Sequence, residues 1–317
     1  MPAMTRLVLH GGAHKTATSH IQSVLNRNAE DLAARDIAYV HHRKLRRDVT
    51  VPAQVNAYDM LGVAPGLRPT LASGKRQVSD DELAAFSAAF FAPILAAAPE
   101  RVVLSEENLL GHCGHCVRRG QLYGHRRRMA QKFAQAMPLR VDEVYLAIRG
   151  YPEFFAAAYV EFLRSASPGR FVPEAEFKAN VMARMPSWHS VLQTLRTAFP
   201  HAAIRVWRYE DFPALEPRIL AALCGPGVEA AQLTYPAGRK ERPTASGRAI
   251  AELLRAVARD GVKPAFARRV ELQEQYPRAD YGRYDPWSAQ ERDILADAYA
   301  DHVAQIRADP DFDLIEP

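Results

Sequence analysis

Up to Tyr209 the chain alternates between short, nearly continuous apolar runs and longer stretches whose apolar positions recur every three or four residues. Leu7 to His10 reads as a buried strand ending at Gly11-Gly12. A helix is expected from about Thr16 to Ala34, because Ile21, Val24, Leu25 and Leu32 share one face. Ile37 to Val40, Arg101 to Ser105, Glu143 to Ile148 and Ile204 to Trp207 read as further strands. Between them fall helices from Ser79 to about Ala98, from Gln121 to Ala136 and from Pro152 to Ser165. Helical segments also lie between Glu174 and Phe199, broken near Pro186. Two helix starts carry chemical marks. Ser79-Asp80-Asp81-Glu82 is a capping box, and Pro152 sits in a first turn, where a missing N–H costs nothing. Continuous apolar strands alternating with helices predict an α/β fold, a parallel sheet of about five strands covered on both faces.

Two regions depart from that pattern. Residues 41–78 show no clear periodicity and hold Pro52, Pro65, Pro69, Gly62, Gly66 and Gly74, so a long functional loop or lid is expected there. After Tyr209 only helices are predicted. The last opens at the capping box Ser288-Ala289-Gln290-Glu291 and runs to about Ile306. With no internal repeat or low-complexity linker, residues 1–317 are expected to form one domain. Its α/β core would span 1–212 and a helical C-terminal portion 213–317.

Composition adds little to the fold and something to the ligand. Hydrophobic content of 48% and charged content of 24% over 317 residues are ordinary for a soluble globular chain. The formal charge of +5 suits an anionic ligand or acceptor without implying nucleic acid, since small anions use the same electrostatics. Basic residues cluster at His41–Arg47 and His125–Arg128. Three cysteines, Cys113, Cys116 and Cys224, do not make a disulfide framework and fit a reducing compartment. No apolar stretch approaches the roughly 18 residues that a membrane span needs, so a cytoplasmic location is expected.

The chemistry concentrates at the first strand–helix turn, Gly11-Gly12-Ala13-His14-Lys15-Thr16-Ala17-Thr18-Ser19. Open parallel sheets bind ligands at the carboxyl ends of their strands. Small residues such as Gly12 and Ala13 let the backbone approach an anion. The free N–H groups of the first helical turn and the helix dipole then face it. Lys15 adds a full charge, and Thr16, Thr18 and Ser19 add hydroxyl donors. The loop is P-loop-like but is not a Walker A motif, because His14 stands where the second glycine belongs.

Lys15-Thr16-Ala17-Thr18-Ser19 resembles the 5′-phosphosulfate loop of sulfotransferases that use 3′-phosphoadenosine-5′-phosphosulfate, with Ala17 where a glycine is usual. Val144-Tyr145-Leu146-Ala147-Ile148-Arg149 and the helix after it resemble the segment in which an arginine and a serine eight residues later hold the donor's 3′-phosphate. Arg149 matches the arginine, and Ala157 stands in place of the serine. Ile204–Phe212, Arg242–Ser246 and Tyr284–Ser288 are also similar to segments of bacterial sulfotransferase-like proteins, in the same order. The resemblance implies sulfuryl transfer from that nucleotide to a hydroxyl or amine acceptor, an anionic glycan or small metabolite among the candidates, with no metal. It implies that Lys15 stabilises the leaving group. Arg239 and Lys240 would supply a late basic contact to the 3′-phosphate.

Such a transfer needs a base for the acceptor's proton. Val102–Asn108 ends the third strand with Glu106 and Glu107, at the sheet's ligand edge. The resemblance favours Glu107, and His14 is the alternative because histidine needs no shift to titrate near neutrality. His112-Cys113-Gly114-His115-Cys116 has the look of a metal half-site, but so short a segment cannot easily close a tetrahedron. Two other functions remain open on sequence: a P-loop-like nucleotide kinase or hydrolase, and an inactive nucleotide-binding module of the same fold.

Overall fold

Side chains alternate across a strand, and here both faces of the sheet are covered. Leu7, Leu9, Val102, Leu104 and Leu146 enter one apolar layer, while Val8, Val103, Tyr145, Ala147 and Trp207 enter another, all at most 1% exposed. Burial on both faces is why these strands read as unbroken apolar runs. The computed structural model describes residues 4–64, 68–237 and 244–317. Its strands are β1 (Arg6–His10), β2 (Ile37–Val40), β3 (Arg101–Ser105), β4 (Val141–Ile148), β5 (Ala203–Arg208) and β6 (Phe312–Ile315). They form a six-stranded sheet in the order β2-β3-β1-β4-β5-β6, with every neighbouring pair parallel.

Helices α1 (Thr18–Arg27) and α2 (Ala29–Ala33) follow β1. Between β2 and β3 lie α3 (His42–Leu45), a π-helical turn (Arg46–Thr50), α4 (Val51–Met60) and α5 (Asp80–Ala96). Next come α6 (Cys113–Arg119) and α7 (Arg126–Gln135). After β4 come α8 (Tyr151–Ser165), α9 (Glu174–Arg184) and α10 (Trp188–Ala198). The C-terminal portion holds α11 (Phe212–Cys224), α12 (Gly247–Asp260), α13 (Val262–Ala267), α14 (Arg269–Gln275), α15 (Arg278–Tyr281) and α16 (Ala289–Ala308). Both expected capping boxes are formed, Ser79 with Glu82 and Ser288 with Glu291.

Four elements differ from the sequence expectation. Residues 41–78 are not simply a loop, since α3, the π-helical turn and α4 lie within them. Helix α4 buries Pro52 through Tyr58 without interruption, and a helix buried all round shows no apolar stripe. The expected first helix breaks at Asn28, whose side-chain amide donates to Val24 O (2.7 Å) and Thr234 O (3.0 Å). The segment expected to be helical from Gln121 starts at Arg126, and α6 precedes it. Finally, the C-terminal portion is not wholly helical, because β6 returns to pair with β5.

In this order β1 connects toward β2 on one side and β4 connects toward β5 on the other. The crevice at the carboxyl ends of β1 and β4 is therefore the topological switch point, where open α/β sheets place ligands.

Candidate functional site

The β1–α1 loop sits at that crevice and is tightly tied down. Gly11 N donates to Tyr145 O on β4 (2.9 Å). A Cβ on Gly12 would lie 2.2 Å from Thr18 Oγ1, so only glycine fits there. Thr16 and Thr18 hydroxyls donate to Ala13 O at 2.6 and 3.2 Å, bracing the loop from inside. Lys15 and Ala17 both adopt left-handed backbone, with φ of 65° and 62°. Ala17 is also the N-cap of α1, so the first N–H groups of that helix have no intrahelical acceptor. Successive N–H groups presented by such turns form anion-binding concavities.

The loop floors a cavity of about 860 Å³ walled by α8, by the start of α6, and by α12, α14 and α15 of the C-terminal portion. His14 through Ser19, Arg149 and Ala157 all line it, so residues far apart in sequence share one space. Gly12 and Ala13 lie beneath, with Ala13 fully buried. Arg149 Nη1 donates to Lys15 O (2.7 Å), and its guanidinium lies over the Tyr209 ring at 4.7 Å. Its Nε is buried with no hydrogen-bond partner, and no carboxylate pairs with it among the described residues. Burial lowers the Arg149 pKa, partly offset by Tyr209, Glu210 and Glu153 nearby. Arg278 and Arg283 line the same cavity without an ion pair among the described residues, and Arg283 is close enough to Arg149 to repel it. Sequence reading missed both. Their signal was only a surplus of arginines in the tail.

Lys15 Nζ is held by Glu161 Oε2 at 2.6 Å, and Glu161 is also paired with Arg164. Glu161 lies one helical turn beyond Ala157 on α8.

The three candidate bases separate clearly. Glu106 is fully buried and does not line the cavity. Its carboxyl group accepts from Arg46 Nη2 (2.7 Å), Thr50 Oγ1 (2.9 Å) and Asn108 N (2.9 Å), and burial raises its pKa against these partners, so its contacts are structural and face away from the cavity. His14 has both ring nitrogens occupied. Asn108 Oδ1 can only accept, so Nε2 carries the proton and donates to it (3.2 Å), and Nδ1 of the neutral ring accepts from Tyr123 OH (3.1 Å), whose oxygen also accepts the His14 backbone N–H (2.9 Å). Burial lowers the His14 pKa further, partly offset by Glu107. Glu107 lines the cavity, a quarter exposed, with a single long contact to Arg46 Nη2 (3.4 Å).

Arg239 and Lys240 lie outside the described residues. His112 and Cys113 line the cavity, but the segment around them is helical rather than a ligand loop. Burial pushes the Cys116 thiol up to about 12 and the Cys113 thiol well above its ordinary value, so both are poor ligands and nucleophiles. Among the described residues no three His, Cys, Asp or Glu side chains converge as a metal would need. No helix among them is long and apolar enough to cross a membrane.

No protein-family model matches the chain, and no curated protein matches it closely enough to be significant. Among solved structures, a sulfotransferase from Alicyclobacillus acidocaldarius aligns over 87% of this chain and 98% of its own. The identity is 13% and the TM-score 0.38, too distant to assign residues or an activity.

Proposed function

We propose that the chain is a sulfotransferase that binds 3′-phosphoadenosine-5′-phosphosulfate across the β1–β4 crevice. The observation that carries this is Arg149, whose guanidinium is braced against the Lys15 loop with a buried Nε left unpartnered. A site that combines arginines outside any ion pair with free helix N–H groups fits a ligand with two separated anionic groups. The 5′ end suits the loop, and the 3′-phosphate suits Arg149 with Arg283. Ala157 lines the same space and offers no hydroxyl.

When bound, the donor supplies a sulfuryl group on a labile sulfur–oxygen bond. Lys15 then neutralises the charge that develops on the departing bisphosphate, and the Ala17–Ser19 N–H groups fix its orientation. Glu107 takes the acceptor's proton, since it is the one candidate carboxylate that reaches the cavity without being saturated. Arg278, which lines the same cavity without an ion pair among the described residues, suits an acceptor that carries negative charge. The kinase or hydrolase reading fits less well. No described strand ends in aspartate, Glu106 is consumed by Arg46, and the Thr16 hydroxyl is turned to Ala13 O instead of toward a metal.

Calorimetry with adenosine 3′,5′-bisphosphate, AMP and ATP–Mg²⁺ tests the assignment. The bisphosphate should bind more tightly than AMP, and Arg149→Ala should remove that preference. With donor and a panel of anionic hydroxyl and amine acceptors, Lys15→Ala should lower turnover about a hundredfold. Glu107→Gln should lower turnover while leaving bisphosphate affinity unchanged. Binding of ATP–Mg²⁺ in preference to the bisphosphate would move the assignment to nucleotide phosphoryl chemistry.

A further inference from the structure

We infer that Glu161 is a positioning residue that holds the Lys15 ammonium on α8 until an anion enters the β1–α1 loop. The inference rests on the sulfuryl-donor reading for the identity of that anion. The backbone of Lys15 is fixed, because its left-handed turn is braced by Arg149 at its carbonyl. Only its side chain can move, and it spans the cavity to Glu161 Oε2 at 2.6 Å. Both side chains are partly open to the cavity, at 27% and 24% exposure, so an incoming ligand can reach the pair. An anion at the loop therefore meets a carboxylate that shares its cation. Binding must either draw Lys15 away from Glu161 or tolerate the repulsion.

Arg164 makes the first course inexpensive. It pairs with the same carboxylate, so Glu161 keeps a cation after Lys15 leaves. Burial alone would raise the Glu161 pKa, but Arg164 and Lys15 more than offset this and hold it at about 2. The carboxylate is thus charged through the neutral range, and the ion pair with Lys15 is available there until a ligand competes for it. Glu161 acts on the donor only through Lys15. Removing the carboxylate should free the ammonium without altering the loop.

Two measurements on the full chain test this. Acylation of Lys15 by acetic anhydride, followed by mass spectrometry, needs no nucleotide. Glu161→Gln should be labelled at Lys15 several-fold faster than wild type, and saturating bisphosphate should slow labelling in both. Calorimetry should find adenosine 3′,5′-bisphosphate bound about tenfold more tightly by Glu161→Gln than by wild type. Glu161→Asp, which keeps the charge, should stay near wild type. In a Lys15→Ala background the gain from Glu161→Gln should vanish. Equal labelling in wild type and Glu161→Gln would overturn the inference, as would an equal affinity gain in the Lys15→Ala background. If neither protein binds the bisphosphate but labelling still differs, the donor reading falls and the hold of Glu161 on Lys15 stands.

Discussion

Two small residues of the β1–α1 loop are under opposite constraints. Gly12 is where the backbone comes closest to Thr18, and any side chain there would collide with it. Ala17 carries a Cβ in a left-handed conformation at φ 62°, which costs roughly 1–2 kcal/mol relative to the right-handed region. Glycine occupies that conformation freely but loses more backbone entropy on folding. The balance favours glycine by up to about 1 kcal/mol. Ala17→Gly should therefore raise the calorimetric melting midpoint by roughly 2 °C. A lowered midpoint would mean that the Ala17 methyl, packed beside the α1 and α11 core, is worth more than the strain. The sequence exposed the glycine where alanine stands as a departure from the resembled loop. It could not give the backbone angle that decides what the departure costs.

Among the elements, the π-helical turn at Arg46–Thr50 organises the end of the cavity that Glu107 faces. Arg46 and Thr50 both reach the buried carboxylate of Glu106, while Arg46 also touches Glu107 at 3.4 Å. The turn thus fixes one glutamate as structure and leaves its neighbour facing the cavity. Arg46→Ala would strand the Glu106 carboxylate in the interior, where burial pushes its pKa up and no cation opposes it. The expected loss is about 3–5 kcal/mol by urea denaturation. Arg46→Ala combined with Glu106→Gln should recover much of it, because the neutral amide can still accept from Asn108 N through its oxygen while its NH2 donates to Thr50 Oγ1. If the double variant is no more stable than the single one, the pair is not coupled as described. None of this was visible in a region that read as loop. The helices there are short or, in α4, buried on every face from Pro52 to Tyr58, so neither length nor periodicity marks them.

Across the whole molecule, buried histidines link stability to acidity. Burial is the leading cause in each case. It holds His10 and His112 down at about 4 and His115 at about 3, against an ordinary value near 6.5. Between those values the unfolded chain binds protons that the folded chain does not, so stability falls as pH falls. The contribution is complete above about pH 6.5 and is lost progressively toward pH 4. His10 alone, fully buried beside Ser105 and Trp207, accounts for about 3 kcal/mol of that loss. Glu161 acts in the same direction at lower pH, because its folded pKa is also depressed. The urea midpoint should drop steadily from pH 7 to pH 4.5. A flat profile would mean that these histidines are protonated within the fold.

Strands β1 to β5, the α/β class, the loop that carries Lys15 and the position of Arg149 just past β4 were all legible in the sequence. Each of these follows from local order: an apolar run, a small-residue turn, a charged residue just past a strand. The tertiary structure decided the rest. Strand β6 is four residues long, and its Phe312, Leu314 and Ile315 are too short a run to stand out after the last helix; it is a strand because β5 offers it an open edge. The separation of Glu106 from Glu107 depends on Arg46, sixty residues earlier in the chain. The partner of Lys15 lies 146 residues away on α8, and Arg283 reaches the neighbourhood of Arg149 only because the C-terminal portion folds back over the crevice. Periodicity reports which face of an element is buried. It carries no information about which distant charge that burial brings alongside, because packing, not local conformation, selects the pairs that share a low-dielectric space.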